Sequence, residues 1–121
     1  MGYMIHHAII VTSFDDKAII KAHVKALKIF PDNLVTSITP YGMNGYRSFL
    51  IAPDGSKEGW EESEQGNENR EKYIDWLFNQ AYDDGSSLYD FVEIEYGDEN
   101  YRRPQVLNDA DMMMRSRYRH E

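Results

Sequence analysis

The 121-residue sequence contains no cysteine. That excludes disulfides, thiolate nucleophiles, cysteine-ligated zinc and iron–sulfur clusters together. A disulfide-free chain of this size is expected in the cytoplasm. No apolar run approaches the roughly 20 residues of a membrane span. The opening Met1-Gly2-Tyr3-Met4 lacks the basic segment of a secretory signal, and His6 stands where a myristoylation signal has Ser or Thr. The glycines form neither GxGxxG nor GxxxxGK[ST], so no phosphate cradle is indicated. No serine sits in a GxSxG setting. Nothing here calls for a cofactor or a metal.

Positive charge is also scarce: 13 Lys and Arg stand against 21 Asp and Glu, for a net charge of -8. The imbalance lies late in the chain. Residues 1–50 carry five basic and three acidic side chains, and residues 51–121 carry eight and eighteen. So acidic a chain is a poor ligand for a phosphate backbone. Direct nucleic-acid binding is not expected, although Tyr46, Arg47 and Phe49 faintly echo the aromatic strands of RNA-binding sheets. An acidic surface does suit a basic protein partner.

What is present is a stretch at 46–60 around which the chain is organised. Tyr46 to Ile51 is apolar on both faces, which predicts a central strand. Pro53-Asp54-Gly55 is a turn signal, and a short hairpin extension follows at 56–60. Residues 5–12 predict a second central strand. Ser13 is a candidate cap for a helix that runs to Phe30 and stops at Pro31. Ile20, Val24 and Leu27, widened by Ile19, His23 and Phe30, predict its buried face; Lys17, Lys21, Lys25 and Lys28 predict the solvated one. Residues 34–39, β-branched and closed by Pro40, predict an edge strand paired with 46–52.

A second helix is expected after the acidic stretch 61–68, with Tyr73, Ile74, Leu77, Phe78 and Ala81 inward and Trp76 at the border. Gly85 ends it. In the strand at 88–96, Val92, Ile94 and Tyr96 face one way, and Phe91, Glu93 and Glu95 the other. The sum is an α+β, ferredoxin-like βαββαβ plan: an antiparallel sheet with both helices on one face. Residues 1–97 form the single domain. Residues 98–121 form a C-terminal tail with a short docking helix starting near Asn108.

The stretch Phe49-Leu50-Ile51-Ala52-Pro53-Asp54-Gly55-Ser56-Lys57-Glu58-Gly59-Trp60-Glu61-Glu62-Ser63, with the opening Ile5-His6-His7-Ala8-Ile9-Ile10-Val11-Thr12-Ser13, the turn Asp84-Gly85-Ser86-Ser87 and the late Val92-Glu93-Ile94-Glu95-Tyr96-Gly97-Asp98, resembles small uncharacterised proteins encoded by phages and prophages. The resemblance brings no catalytic or binding residue with it. It implies a setting: an accessory protein that works inside a bacterial host cell by binding and blocking a host protein.

The leading expectation is therefore a non-enzymatic protein-binding module acting on a host or defence complex. Its contact residues are expected to be Glu58, Trp60, Glu61, Glu62, Glu64 and Trp76, with Phe91 a further part-exposed aromatic. A homodimer through the edge strand or the Met-rich tail fits the same sequence. Two rival readings remain. One is a small enzyme or ligand binder with His6 or His7 beside Glu93 or Glu95 on the open sheet face. The other is an acidic DNA mimic.

Overall fold

The structure, a computed structural model, describes residues 4–97 and 103–111. Its elements are β1 (His6–Ser13), α1 (Asp16–Ile29), β2 (Arg47–Ile51), α2 (Glu61–Asn79), β3 (Asp90–Tyr96) and β4 (Gln105–Asp109), with short 3-10 turns at Asp32–Leu34 and Met43–Gly45. The four strands form one sheet in the order β2-β1-β3-β4, and every neighbouring pair is antiparallel. One face of this sheet carries Ile9, Val11, Phe49, Ile51 and Phe91. They pack into a single cluster with Ala18, Ile19, Ala22 and Ala26 of α1 and Tyr73, Ile74 and Leu77 of α2. Both helices thus lie on the same face, as expected.

The element order is β-α-β-α-β-β, not the ferredoxin-like βαββαβ order. Two corrections account for this. Residues 34–39 run beside β2 but do not form a ladder strand. Thr36 and Leu34 keep backbone bonds to β2, with Thr36 N donating to Leu50 O at 2.9 Å and Ala52 N donating to Leu34 O at 2.7 Å. The next β2 donors go to hydroxyls instead: Leu50 N to Thr36 Oγ1 and Ser48 N to Thr39 Oγ1, each at 2.9 Å. Threonine side chains have displaced the carbonyls that a regular ladder needs. The stretch at 46–52 is therefore an outer strand of the sheet rather than a central one.

The second correction is β4. It comes from the stretch read as a tail and pairs with β3, with Ile94 opposite Val106 and Glu93 opposite Asn108, across a bulge. Asn108, expected to cap a helix, lies in this strand. The docking helix from 112 onward lies outside the described residues.

Helix α1 is capped by Asp15, whose carboxylate accepts from Ala18 N at 2.8 Å; Ser13, the expected cap, accepts from Asp15 N instead. The buried face of the helix is Ala18, Ile19, Ala22 and Ala26, whereas Ile20, Val24 and Leu27 are exposed. The reason is steric. Tyr73 and Tyr89 fill the space beneath α1, and their hydroxyls donate to the carbonyls of Ala22 and Ala18 at 2.7 and 2.8 Å. Only small side chains let the helix backbone come that close. His23 is packed as expected, edge-on against Phe49, with its Nε2 donating to Thr36 O at 2.9 Å.

Candidate functional site: an ionic groove under helix α2

The helix-facing side of the sheet changes character along its length. At one end Val11, Phe49 and Phe91 are neighbours; at the other His7 stands opposite Glu95, and Ile9 opposite Glu93. The alternation expected in β3 is present, but Phe91, Glu93 and Glu95 are the side turned toward the helices. Phe91 is core, not an exposed aromatic. Buried carboxylates need partners, because an unpaired charge in a low-dielectric interior is very costly. Helix α2 supplies one. Arg70 Nε lies 3.7 Å from Glu93 Oε2, and both side chains are buried. Arg70 also donates to Asn67 Oδ1, and β4 completes the shell with Asn108 Nδ2 donating to Glu93 Oε1 at 2.7 Å.

The loop after β2 brings a second acid to Arg70. Asp54 Oδ1 accepts from Ser56 N at 2.9 Å and from Ser56 Oγ at 2.7 Å, closing a turn in which Gly55 has φ +77°. Burial pushes the Asp54 carboxyl up, but the Ser56 bonds and the charge of Arg70 outweigh it and hold the group below its ordinary value. Burial lowers the pKa of Arg70, and the charges of Glu93, Asp54 and Glu58 oppose that effect. A guanidinium in this position stays protonated. Gly66, inside α2, makes room for the contact. A Cβ there would lie 3.0 Å from Arg70 Nη1 and 3.2 Å from Asp54 Oδ2.

His7 sits between two further acids. Its Nε2 is 3.6 Å from Glu58 Oε1, and its Nδ1 is 3.9 Å from Glu95 Oε2. Both separations exceed a hydrogen bond, and Nδ1 is a buried nitrogen without a hydrogen-bond partner among the described residues. The two ring nitrogens address different carboxylates, so these groups do not converge on a common point. The expected pairing of a histidine with Glu93 or Glu95 on the open sheet face is not what the fold provides. His7, Glu93 and Glu95 lie on the covered side, and His6, on the open side, packs against Tyr96 with ring centroids 5.4 Å apart.

Two cavities flank this cluster. The larger, about 440 Å³, has an apolar floor of Phe30, Leu34 and Ile51 and a rim that includes Asp54, Trp60 and Glu62. The smaller, about 250 Å³, lies between α2 and β4 beside Asn67, Glu71, Glu93 and Asn108. His7 and Arg70 border both. No family model, curated protein or solved structure matches this chain.

The site residues expected from sequence divide into two groups. Glu58 turns inward to His7. Trp60 is half exposed on the rim of the larger cavity, with Lys57 Nζ 5.9 Å from its ring centroid. Glu61, Glu62 and Glu64 occupy the first turn of α2, and Glu62 borders the cavity. Trp76 is not with them. It lies four turns along α2, against Tyr73 and Tyr89, with Lys21 Nζ 5.9 Å from its ring. Sequence reasoning missed Asp54, Gly66, Arg70 and Asn108. One signal for Arg70 was available: it is the sole basic residue between Glu58 and Glu71, among six acids.

Proposed function

We propose that the protein is a protein-binding module whose larger groove takes a basic segment of a partner. In this reading an aliphatic or aromatic side chain of the partner lies on Phe30, Leu34 and Ile51, and a neighbouring Lys or Arg meets the acidic rim. The observation that carries it is the placement of a half-exposed tryptophan at the mouth of an apolar-floored groove bordered by Asp54 and Glu62. Interfaces draw most of their energy from such aromatic anchors in pockets, while the surrounding charge sets specificity and association rate. Lys57 Nζ, 5.9 Å from the Trp60 ring centroid in a cation–π arrangement, supports an indole face that receives an ammonium group. The resemblance to phage-encoded proteins supplies the setting, in which the partner is a host protein or complex and binding blocks it.

The experiment is a titration of the full chain with synthetic peptides that share one apolar residue and differ in flanking charge, read by tryptophan fluorescence and calorimetry. Lys- and Arg-flanked peptides should bind at least tenfold more tightly than Glu-flanked ones, with affinity falling as salt rises. Trp60→Ala and Glu62→Lys should each remove most of that preference. Equal affinity for basic and acidic peptides, or binding untouched by both substitutions, would overturn the reading.

A further inference from the structure

The sheet face turned away from the helices is apolar as well. An antiparallel sheet with one solvated face ordinarily alternates apolar and polar residues; here the register builds apolar rows that each span three strands. Leu50, Ile10 and Val92 are directly paired in one row, and Ala8, Ile94 and Val106 in the next. His6 and Tyr96 close one end. Toward the other end Thr12 and Ser48 satisfy each other through a 2.7 Å hydroxyl bond, and beyond them Phe14 meets Tyr46 edge-on at 5.9 Å. Phe14, Val106, Tyr46 and Ile10 are 53%, 49%, 42% and 38% exposed. Among the described residues of the strands, charge enters this face only at the margin, through Asp90 opposite Thr12 and Asp109 opposite Val92.

We infer that a second copy of this chain covers that face, the two sheets packing face to face about a two-fold axis. Charge selects this surface for self-association. Two molecules of net charge -8 repel one another, and a broad uncharged face lets copies approach without setting carboxylate against carboxylate. Size sets its strength. Strands of 8, 5, 7 and 5 residues, about 4.8 Å apart and rising about 3.4 Å per residue, cover roughly 400 Å² per copy, or about 800 Å² for the pair. That is the range of weak, transient association, so the dimer is reversible. An isologous contact of this kind uses one patch twice and closes after two copies.

Sedimentation velocity of the full chain across about 1–200 μM tests the proposal. The expected result is a concentration-dependent monomer–dimer equilibrium. Val106→Lys and Ile10→Lys, each checked for native circular dichroism, should weaken it at least tenfold, and Trp60→Ala should leave it unchanged. Because the chain lacks cysteine, Ile10→Cys gives a single thiol; mild oxidation should cross-link it far more than Lys28→Cys on α1. A monomer at every concentration overturns the inference. So does a dimer that folded Val106→Lys leaves intact, or equal cross-linking at both cysteine positions. If Ile10→Lys fails to fold, Val106→Lys and the cross-linking comparison decide.

Discussion

Gly66 stands one helical turn before Arg70, and a methyl group at Gly66 would lie 3.0 Å from the Arg70 guanidinium. Glycine inside a helix ordinarily costs about 1 kcal/mol relative to alanine. Gly66→Ala removes that cost but presses on both Arg70 Nη1 and Asp54 Oδ2. The expected outcome is a urea midpoint that fails to rise, with a weakened response to basic peptides. A clear gain in stability with unchanged peptide binding would mean that the close approach is unimportant.

Arg70 and Glu93 form a buried ion pair. Arg70→Met leaves the Glu93 carboxylate buried against the sheet with Asn108, among the described residues, as its remaining close partner, and should cost about 3 kcal/mol. The double substitution Arg70→Met with Glu93→Leu removes both charges and should recover most of that loss. Urea denaturation of the two singles and the double, read as a double-mutant cycle, checks this. Additive losses would show that the pair is not coupled.

Tyr73 and Tyr89 tie α1 to α2 and β3 through hydroxyl groups, and this gives stability an alkaline limit. Burial pushes the Tyr89 phenol up to about 12 and raises Tyr73 as well. A phenol whose pKa is raised on folding contributes stability fully below its unfolded value of about 10. That contribution is lost as pH rises toward the folded value. Urea midpoints should therefore be flat below about pH 10 on this account and decline above it. Tyr89→Phe should cost about 1 kcal/mol near neutral pH through the lost hydrogen bond and should make the alkaline decline shallower. An unchanged slope in the variant would separate the decline from this residue.

On α1 the larger aliphatic residues Ile20, Val24 and Leu27 are the expendable ones. Val24→Ser, at an exposed position, should change stability by no more than about 0.5 kcal/mol. Ala22→Leu forces a branched side chain into the space over Tyr73 and should cost about 1–3 kcal/mol. Thermal melts of both variants test the contrast, and the opposite ranking would put the helix on its other face.

Residues that act through their own backbone neighbourhood were legible in the sequence. The β1 run, the Pro31 stop of α1, the Pro53-Asp54-Gly55 turn and the alternation of β3 all predicted their local structure, and two helices on one face followed from them. The failures share a cause: each depends on a partner distant in sequence. The larger residues Ile20, Val24 and Leu27 marked the wrong face of α1, because the tyrosines beneath it reach the helix backbone at Ala18 and Ala22. Residues 34–39 read as a strand, yet the hydroxyls of Thr36 and Thr39 compete for the donors of β2. Gln105–Asp109 has only two apolar residues, and the contact that marks Asn108 is a bond to Glu93 across the sheet. At the groove, Glu58, Trp60 and Glu62 were visible as an acidic cluster around an indole. Asp54, Gly66 and Arg70 meet only when the loop after β2 folds onto α2.

The threonine hydroxyls beside β2 also bear on whether another chain can add to that side of the sheet. A bare outer strand offers a row of amide hydrogens on which another chain can add, the first step toward fibrils. Along that side Leu50 and Ser48 already direct theirs to Thr36 and Thr39. Growth of the sheet past β2 would first require prying this segment away, and Thr36→Val with Thr39→Val would loosen its hold by two hydrogen bonds while the backbone bonds at Thr36 and Ala52 remain.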